Sequence, residues 1–121
     1  MNIAELFDTA IAALEAQPGK AQDPKTGLCK YRLNGLSCLF GHMISDDYYY
    51  PDLETETNGV GGYEVSMAIT RSTGINLLEH LKPENLTYIQ QLHDSTWEQG
   101  EPFRPLLPGP LQIKIWGEIQ S

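Results

Sequence analysis

The chain has 121 residues and a mass of 13.5 kDa, with 16 acidic and 8 basic side chains and a formal net charge of -8 at pH 7. This length, with 40% apolar residues, predicts a single globular domain spanning residues 1–121. The acidic balance argues against a direct nucleic-acid binder and against attachment to an anionic membrane, because both need a basic face.

The first 16 residues contain Glu5, Asp8 and Glu15 and no basic residue, so they lack the pattern of a secretory signal. No stretch approaches the ~18 apolar residues that a membrane-spanning helix needs. We therefore expect a cytoplasmic protein. In that setting Cys29 and Cys38 are free thiols or metal ligands rather than a disulfide.

The N-terminal segment predicts an amphipathic helix, since its apolar residues recur at the spacing of one helix face. Asn2 followed by Glu5 has the form of a capping box. The helix is expected to end near Gln17-Pro18-Gly19, and a polar loop is expected from Lys20 to Gly27.

The next segment predicts a small β-hairpin. Its two arms are Leu28 to Leu33 and Leu36 to Gly41, and Asn34-Gly35 between them suits a tight turn with positive φ angles.

The second half predicts more helix, from Tyr63 to Ser72 and from Pro83 to about Thr96. The four prolines of residues 101–110 predict an extended segment, and residues 111–119 fit a strand or a helix equally well. Taken together, the patterns predict an α+β fold with three to four helices packed around a short β-hairpin.

The negative charge is concentrated in one interval. Between Leu33 and Thr70 there are six acidic residues and no lysine or arginine. Clustered carboxylates attract a basic partner, and tyrosines are favoured in protein interfaces. We expect the partner-binding residues to be Asp46, Asp47, Tyr48, Tyr49, Tyr50, Asp52, Glu54 and Glu56.

The cysteines and histidines offer a different hypothesis. The hairpin brings Cys29 and Cys38 close together, with His42 four residues further on, and zinc prefers thiolate and imidazole ligands. A fourth ligand would come from His93, Asp94, Asp46 or Asp47. Cys38 and His42 could instead form a thiolate–imidazole pair. The short C-x2-C spacing of zinc knuckles is missing, so buried thiols are the competing interpretation.

His93-Asp94 is the remaining dipeptide of interest. Adjacent residues of an α-helix point about 100° apart, which predicts that the two side chains do not form a relay by themselves. His93 falls on the apolar stripe of its helix, so we expect a buried histidine.

The window from Cys29 to Tyr48, together with His93-Asp94, resembles a family of small phage, prophage and bacterial proteins. That family has a C-x-Y-R-x-x-x-G-x-x-C-x-x-G-x-x-I-x-D-x-x-Y-like core and a later L-x-x-H-D. The matching positions are Cys29, Tyr31, Arg32, Cys38, Gly41, Ile44, the Asp46/Asp47 pair and Tyr48, followed by Leu92 or Gln90 near His93-Asp94. The likeness covers roughly residues 3–97 and fails in the proline-rich segment. It implies no activity, only a phage or mobile-element setting.

Three functions remain open. The leading hypothesis is a non-enzymatic acidic binding protein, a phage-encoded modulator or inhibitor of a host or defence protein with a basic surface. The first alternative is a zinc-binding or thiol-dependent enzyme centred on Cys29, Cys38, His42 and His93. The second is a self-associating accessory protein, a homo-oligomer with a seam of Trp97, Phe103 and Trp116.

Overall fold

The computed structural model describes residues 1–26, 29–56 and 59–119. Within these ranges four α-helices accompany one two-stranded antiparallel hairpin, which confirms the predicted α+β class. In chain order the elements are α1 (Ile3–Ala16), β1 (Arg32–Leu33), β2 (Leu36–Ser37), α2 (Tyr63–Thr73), α3 (Pro83–Gln91) and α4 (Gly109–Trp116).

Helix α1 begins at the predicted capping box. The Asn2 side chain accepts from the Glu5 N–H at 2.8 Å, and the Glu5 carboxylate accepts from the Asn2 N–H at 3.2 Å. These bonds satisfy backbone donors that lack helical partners. The buried face consists of Leu6, Phe7, Ala10, Ile11 and Leu14.

The hairpin turns at the predicted position but is shorter than expected, with two residues in each strand. Asn34 and Gly35 have φ angles of 53° and 81°. The second strand ends at Ser37, although the Cys38 N–H still donates to the Tyr31 carbonyl at 3.1 Å, and the chain then turns into a 3-10 helix at Gly41–Met43. There the Gly41 backbone lies so close to the Tyr31 carbonyl that a Cβ would be 2.1 Å from its oxygen. Gly27 and Leu28, expected in the loop and first strand, lie outside the described residues.

The predicted helix from Pro83 to Thr96 has two parts. Helix α3 ends at Gln91, and a π-helical turn continues from Leu92 to Thr96. The backbone N–H of Trp97 donates to the Leu92 carbonyl at 2.8 Å and closes this turn. Such wide turns are rare and occur frequently at functional sites.

The C-terminal region is more regular than the prolines predicted. Residues Arg104–Leu106 form a turn of 3-10 helix within the segment expected to be extended. Helix α4 begins at Gly109 and has a proline in its first turn. Proline is tolerated there because the N–H that it lacks would have no hydrogen-bond partner within the helix. The tail is therefore helical as far as Trp116, whose indole N–H donates to Asp8 of α1 at 2.8 Å. Residues 120 and 121 lie outside the described ranges.

Trp97 and Phe103, expected in an oligomer seam, lie instead in the core. Both side chains have 0% exposure, as does His93, which packs against both rings. The His93 ring stacks on Trp97 with centroids 5.4 Å apart, and Phe103 lies 6.4 Å from the imidazole. A seam containing these two residues is thus ruled out by their burial. In the part of the chain that the structure describes, no helix combines the length and the apolar character needed to cross a membrane.

Candidate functional site

Cys29, His93 and Asp94 form a cluster where the loop before the hairpin meets the π-helical turn. Each residue contributes one potential ligand atom, and these atoms lie within 4.8 Å of one another. The imidazole is fully buried, whereas Cys29 is half-buried and the Asp94 side chain is 36% exposed. The cluster therefore has a dry inner side and a side open to solvent.

The prediction that His93 and Asp94 do not form a pair is wrong. Nδ1 of His93 lies 2.9 Å from Oδ1 of Asp94. The 100° separation applies to an α-helix, but these residues are in a π-helical turn, where more residues per turn reduce the rotation between neighbours. The pair lies within this π-helical turn, and the rule for an α-helix did not predict it.

Asp94 is held by further hydrogen bonds. Gln90 Nε2 donates to Asp94 Oδ1 at 2.7 Å, and Lys20 Nζ donates to the Asp94 backbone carbonyl at 3.4 Å. Burial opposes ionisation of Asp94, but the hydrogen bonds from His93 and Gln90 outweigh it, so the pKa of Asp94 lies below its ordinary value. The carboxylate is therefore charged at neutral pH.

The thiols have unfavourable surroundings for ionisation. Burial, and then the Asp94 carboxylate, raise the pKa of Cys29 to about 11. Burial raises the pKa of Cys38 to about 12, although the Gly41 N–H donates to its sulfur at 3.3 Å. Because the thiolate is the nucleophile, neither cysteine is activated by its protein surroundings at neutral pH.

The structure does not gather the four residues predicted for a metal or thiol centre. His42 Nε2 lies 3.1 Å from Gln17 Oε1, and burial, then Arg32, lower the pKa of His42. Cys38 Sγ contacts Gln90 Oε1 at 3.9 Å rather than the imidazole of His42. Of the four predicted residues, only Cys29 and His93 lie together, and Asp94 joins them. From the sequence, Asp94 was only one candidate for a fourth ligand.

Gln90 was assigned no role in a site by the sequence analysis. Its amide connects the two regions around the cysteines, since its oxygen faces Cys38 and its nitrogen faces Asp94. The spacing of four residues between Gln90 and Asp94 was a usable signal, because such pairs lie on one helix face.

The acidic segment divides into residues that contact the hairpin and residues for which no contact with the hairpin is found among the described residues. Glu54 accepts from the Tyr31 N–H at 2.8 Å, from the Arg32 N–H at 3.0 Å and from the Tyr49 hydroxyl at 2.6 Å. Asp46 forms an ion pair with Arg32, whose guanidinium lies 4.6 Å from the centre of the Tyr49 ring. Three of the predicted partner-binding residues, Asp46, Tyr49 and Glu54, therefore hold the hairpin in place.

The other predicted residues are exposed. The Tyr50 hydroxyl donates to Glu64 of α2 at 2.8 Å, which adds one carboxylate that the prediction did not include. Tyr48 and Tyr50 are 42% and 37% exposed. We call these residues the acidic tyrosine surface; its members are Asp47, Tyr48, Tyr50, Asp52, Glu56 and Glu64.

Comparison of the chain with models of protein families, with curated proteins and with solved structures gave no match.

Proposed function

We propose that this protein is a non-enzymatic binding protein that engages a basic surface of another protein through the acidic tyrosine surface. The observation that carries the proposal is the pairing of two exposed tyrosines with four exposed carboxylates in an interval without lysine or arginine. Tyrosine covers a large area at small entropic cost and adds a hydroxyl, and carboxylates accelerate encounter with a positively charged partner.

The local contacts support a surface that is ordered before it binds. Glu54 and Arg32 fix the segment to the hairpin, and the 3-10 helix Pro51–Thr55 buries Leu53 beneath it. A surface already held in its binding conformation loses less entropy on association. The resemblance described above makes a bacterial host or defence protein the partner class that we propose.

Thiol catalysis has less support. The elevated pKa of both cysteines leaves little thiolate at neutral pH, and His42 contacts Gln17 instead of a sulfur.

A charge-reversal comparison tests the proposal. The surface variant carries Asp47→Lys, Asp52→Lys and Glu56→Lys. The control carries Glu79→Lys, Glu98→Lys and Glu118→Lys, which are also exposed and change the net charge equally. Each immobilised protein is incubated with a bacterial host lysate, and bound proteins are quantified by mass spectrometry.

We expect wild type and control to enrich the same partner, and the surface variant to lose it. Association of the purified partner should slow on the order of 10-fold or more in the surface variant, and it should slow as salt is added. Equal capture by all three proteins, no specific capture by wild type, or an association rate insensitive to salt would refute the proposal.

A further inference from the structure

The Cys29–His93–Asp94 cluster has a ligand set with a definite metal preference. A thiolate, an imidazole and a carboxylate together are a borderline-soft donor set, which suits zinc, whereas calcium and magnesium prefer oxygen ligands alone. Tetrahedral ligands placed ~2.0–2.3 Å from zinc lie roughly 3.3–3.8 Å apart. Ligand atoms already within 4.8 Å of one another need only a small adjustment to reach that geometry.

The two nitrogens of the buried imidazole differ in their surroundings. His93 Nδ1 faces Asp94, but Nε2 is buried and has no hydrogen-bond partner among the described residues. Buried polar atoms are almost always paired in folded proteins, so an orphaned nitrogen requires an explanation. The imidazole packs against the Trp97 and Phe103 rings and directs Nδ1 at the Asp94 carboxylate, so Nδ1 is the nitrogen that already lies in the cluster.

Charge and access also fit a divalent cation. A Cys29 thiolate and an Asp94 carboxylate together carry two negative charges, which match the two positive charges of Zn²⁺. Over the described ranges, no lysine or arginine forms an ion pair with the Asp94 carboxylate. The Lys20 ammonium lies beside the cluster, where it donates to the Asp94 backbone carbonyl. The partly exposed Cys29 and Asp94 leave a route for the ion from solvent.

From these observations we propose that Cys29, His93 and Asp94 bind one Zn²⁺ ion. Binding exchanges the thiol proton of Cys29 for the metal, and the proton is released to the buffer. Gln90 would act as a positioning residue, since its amide already holds Asp94 Oδ1 at 2.7 Å. The site is separate from the acidic tyrosine surface and does not depend on the proposed function.

The test uses the untagged protein and the metal ions alone. Metal-free protein is titrated with Co²⁺, whose visible spectrum reports the geometry of the site and whose near-ultraviolet band reports a thiolate ligand. Zn²⁺ is then added in competition, and bound zinc is counted by elemental analysis. The variants are Cys29→Ser and Asp94→Asn, with Cys38→Ala and His80→Gln as thiol and histidine controls outside the cluster.

We expect one zinc per chain in wild type and in both controls, and at least ~10-fold weaker binding in Cys29→Ser and Asp94→Asn. The thiolate–cobalt band should vanish in Cys29→Ser alone. No stoichiometric binding by the wild type, or a wild-type cobalt spectrum in Cys29→Ser, would overturn the proposal.

A second measurement needs no substitution and so does not depend on a variant folding. Wild-type protein is alkylated with and without Zn²⁺, and the modified cysteine is located by peptide mass spectrometry. Zinc should protect Cys29. Alkylation of Cys29 at the same rate with and without saturating zinc would contradict the assignment.

Discussion

The cluster and the acidic tyrosine surface both contain carboxylates, but they use them in opposite ways. Asp94 accepts hydrogen bonds from Gln90 and His93 at the edge of the core, whereas Asp47 and Asp52 are fixed by no ion pair among the described residues. A held carboxylate acts over a few ångströms on chosen partners, and a solvated one contributes to a long-range field. The position of a carboxylate in the fold, rather than its residue type, thus decides whether it holds a nearby partner or attracts a distant one.

The largest predicted effect is a difference in stability between substitutions at two acidic residues of the same segment. Glu54→Ala should lower the free energy of unfolding by about 2–4 kcal/mol, because two backbone N–H groups and the Tyr49 hydroxyl lose their charged acceptor. Urea denaturation measures the change. Asp52→Ala, two residues away and exposed, is the matched control and should stay within about 0.5 kcal/mol of wild type. Similar losses in both variants would mean that Glu54 does not differ from its solvated neighbours.

A smaller effect is expected at the amide that supports the cluster. Gln90→Ala should weaken zinc binding by about 10- to 100-fold, since outer-shell hydrogen bonds orient metal ligands. Gln91→Ala is the control, as this exposed glutamine is the next residue of α3. Competition with a zinc-sensitive dye gives both affinities, and urea denaturation of the metal-free proteins separates orientation from stability. Equal zinc affinities for the two variants would remove Gln90 from the site.

The smallest effect is a change in thiol reactivity with pH in the metal-free protein. Because the pKa of Cys29 is raised to about 11, its alkylation should be slow at neutral pH and accelerate well into the alkaline range. Asp94→Asn should speed the reaction several-fold, since it removes a charge that raises this pKa. Lys20→Gln should slow it, since the lysine lowers the pKa. Shifts of the same sign in the two variants would contradict this electrostatic description.

Much of the fold could be predicted from the sequence because its signals are local. The capping box of Asn2 and Glu5 and the turn at Asn34-Gly35 each depend on a few adjacent residues. The length of the hairpin was overpredicted because it depends on the packing of Gly41 against Tyr31, a tertiary contact that periodicity does not report.

The candidate site was only partly predictable for the same reason. Cys29 and His93 could be named from their chemistry, but their meeting depends on how α3 packs and on the π-helical turn after it. In the acidic segment, composition correctly located the charge. Composition does not show that Glu54 accepts hydrogen bonds from the backbone of the hairpin while Asp52 remains in solvent, because both are acidic residues of one short 3-10 helix.

The separation of the two regions is tested most directly by native mass spectrometry of the zinc-loaded protein. Wild type, Cys29→Ser and the triple reversal of Asp47, Asp52 and Glu56 are compared after removal of excess metal. One zinc per chain is expected in the wild type and in the triple variant, and none in Cys29→Ser. Loss of zinc on reversing the surface charges, or its retention without the Cys29 thiol, would contradict a metal centre built from Cys29, His93 and Asp94.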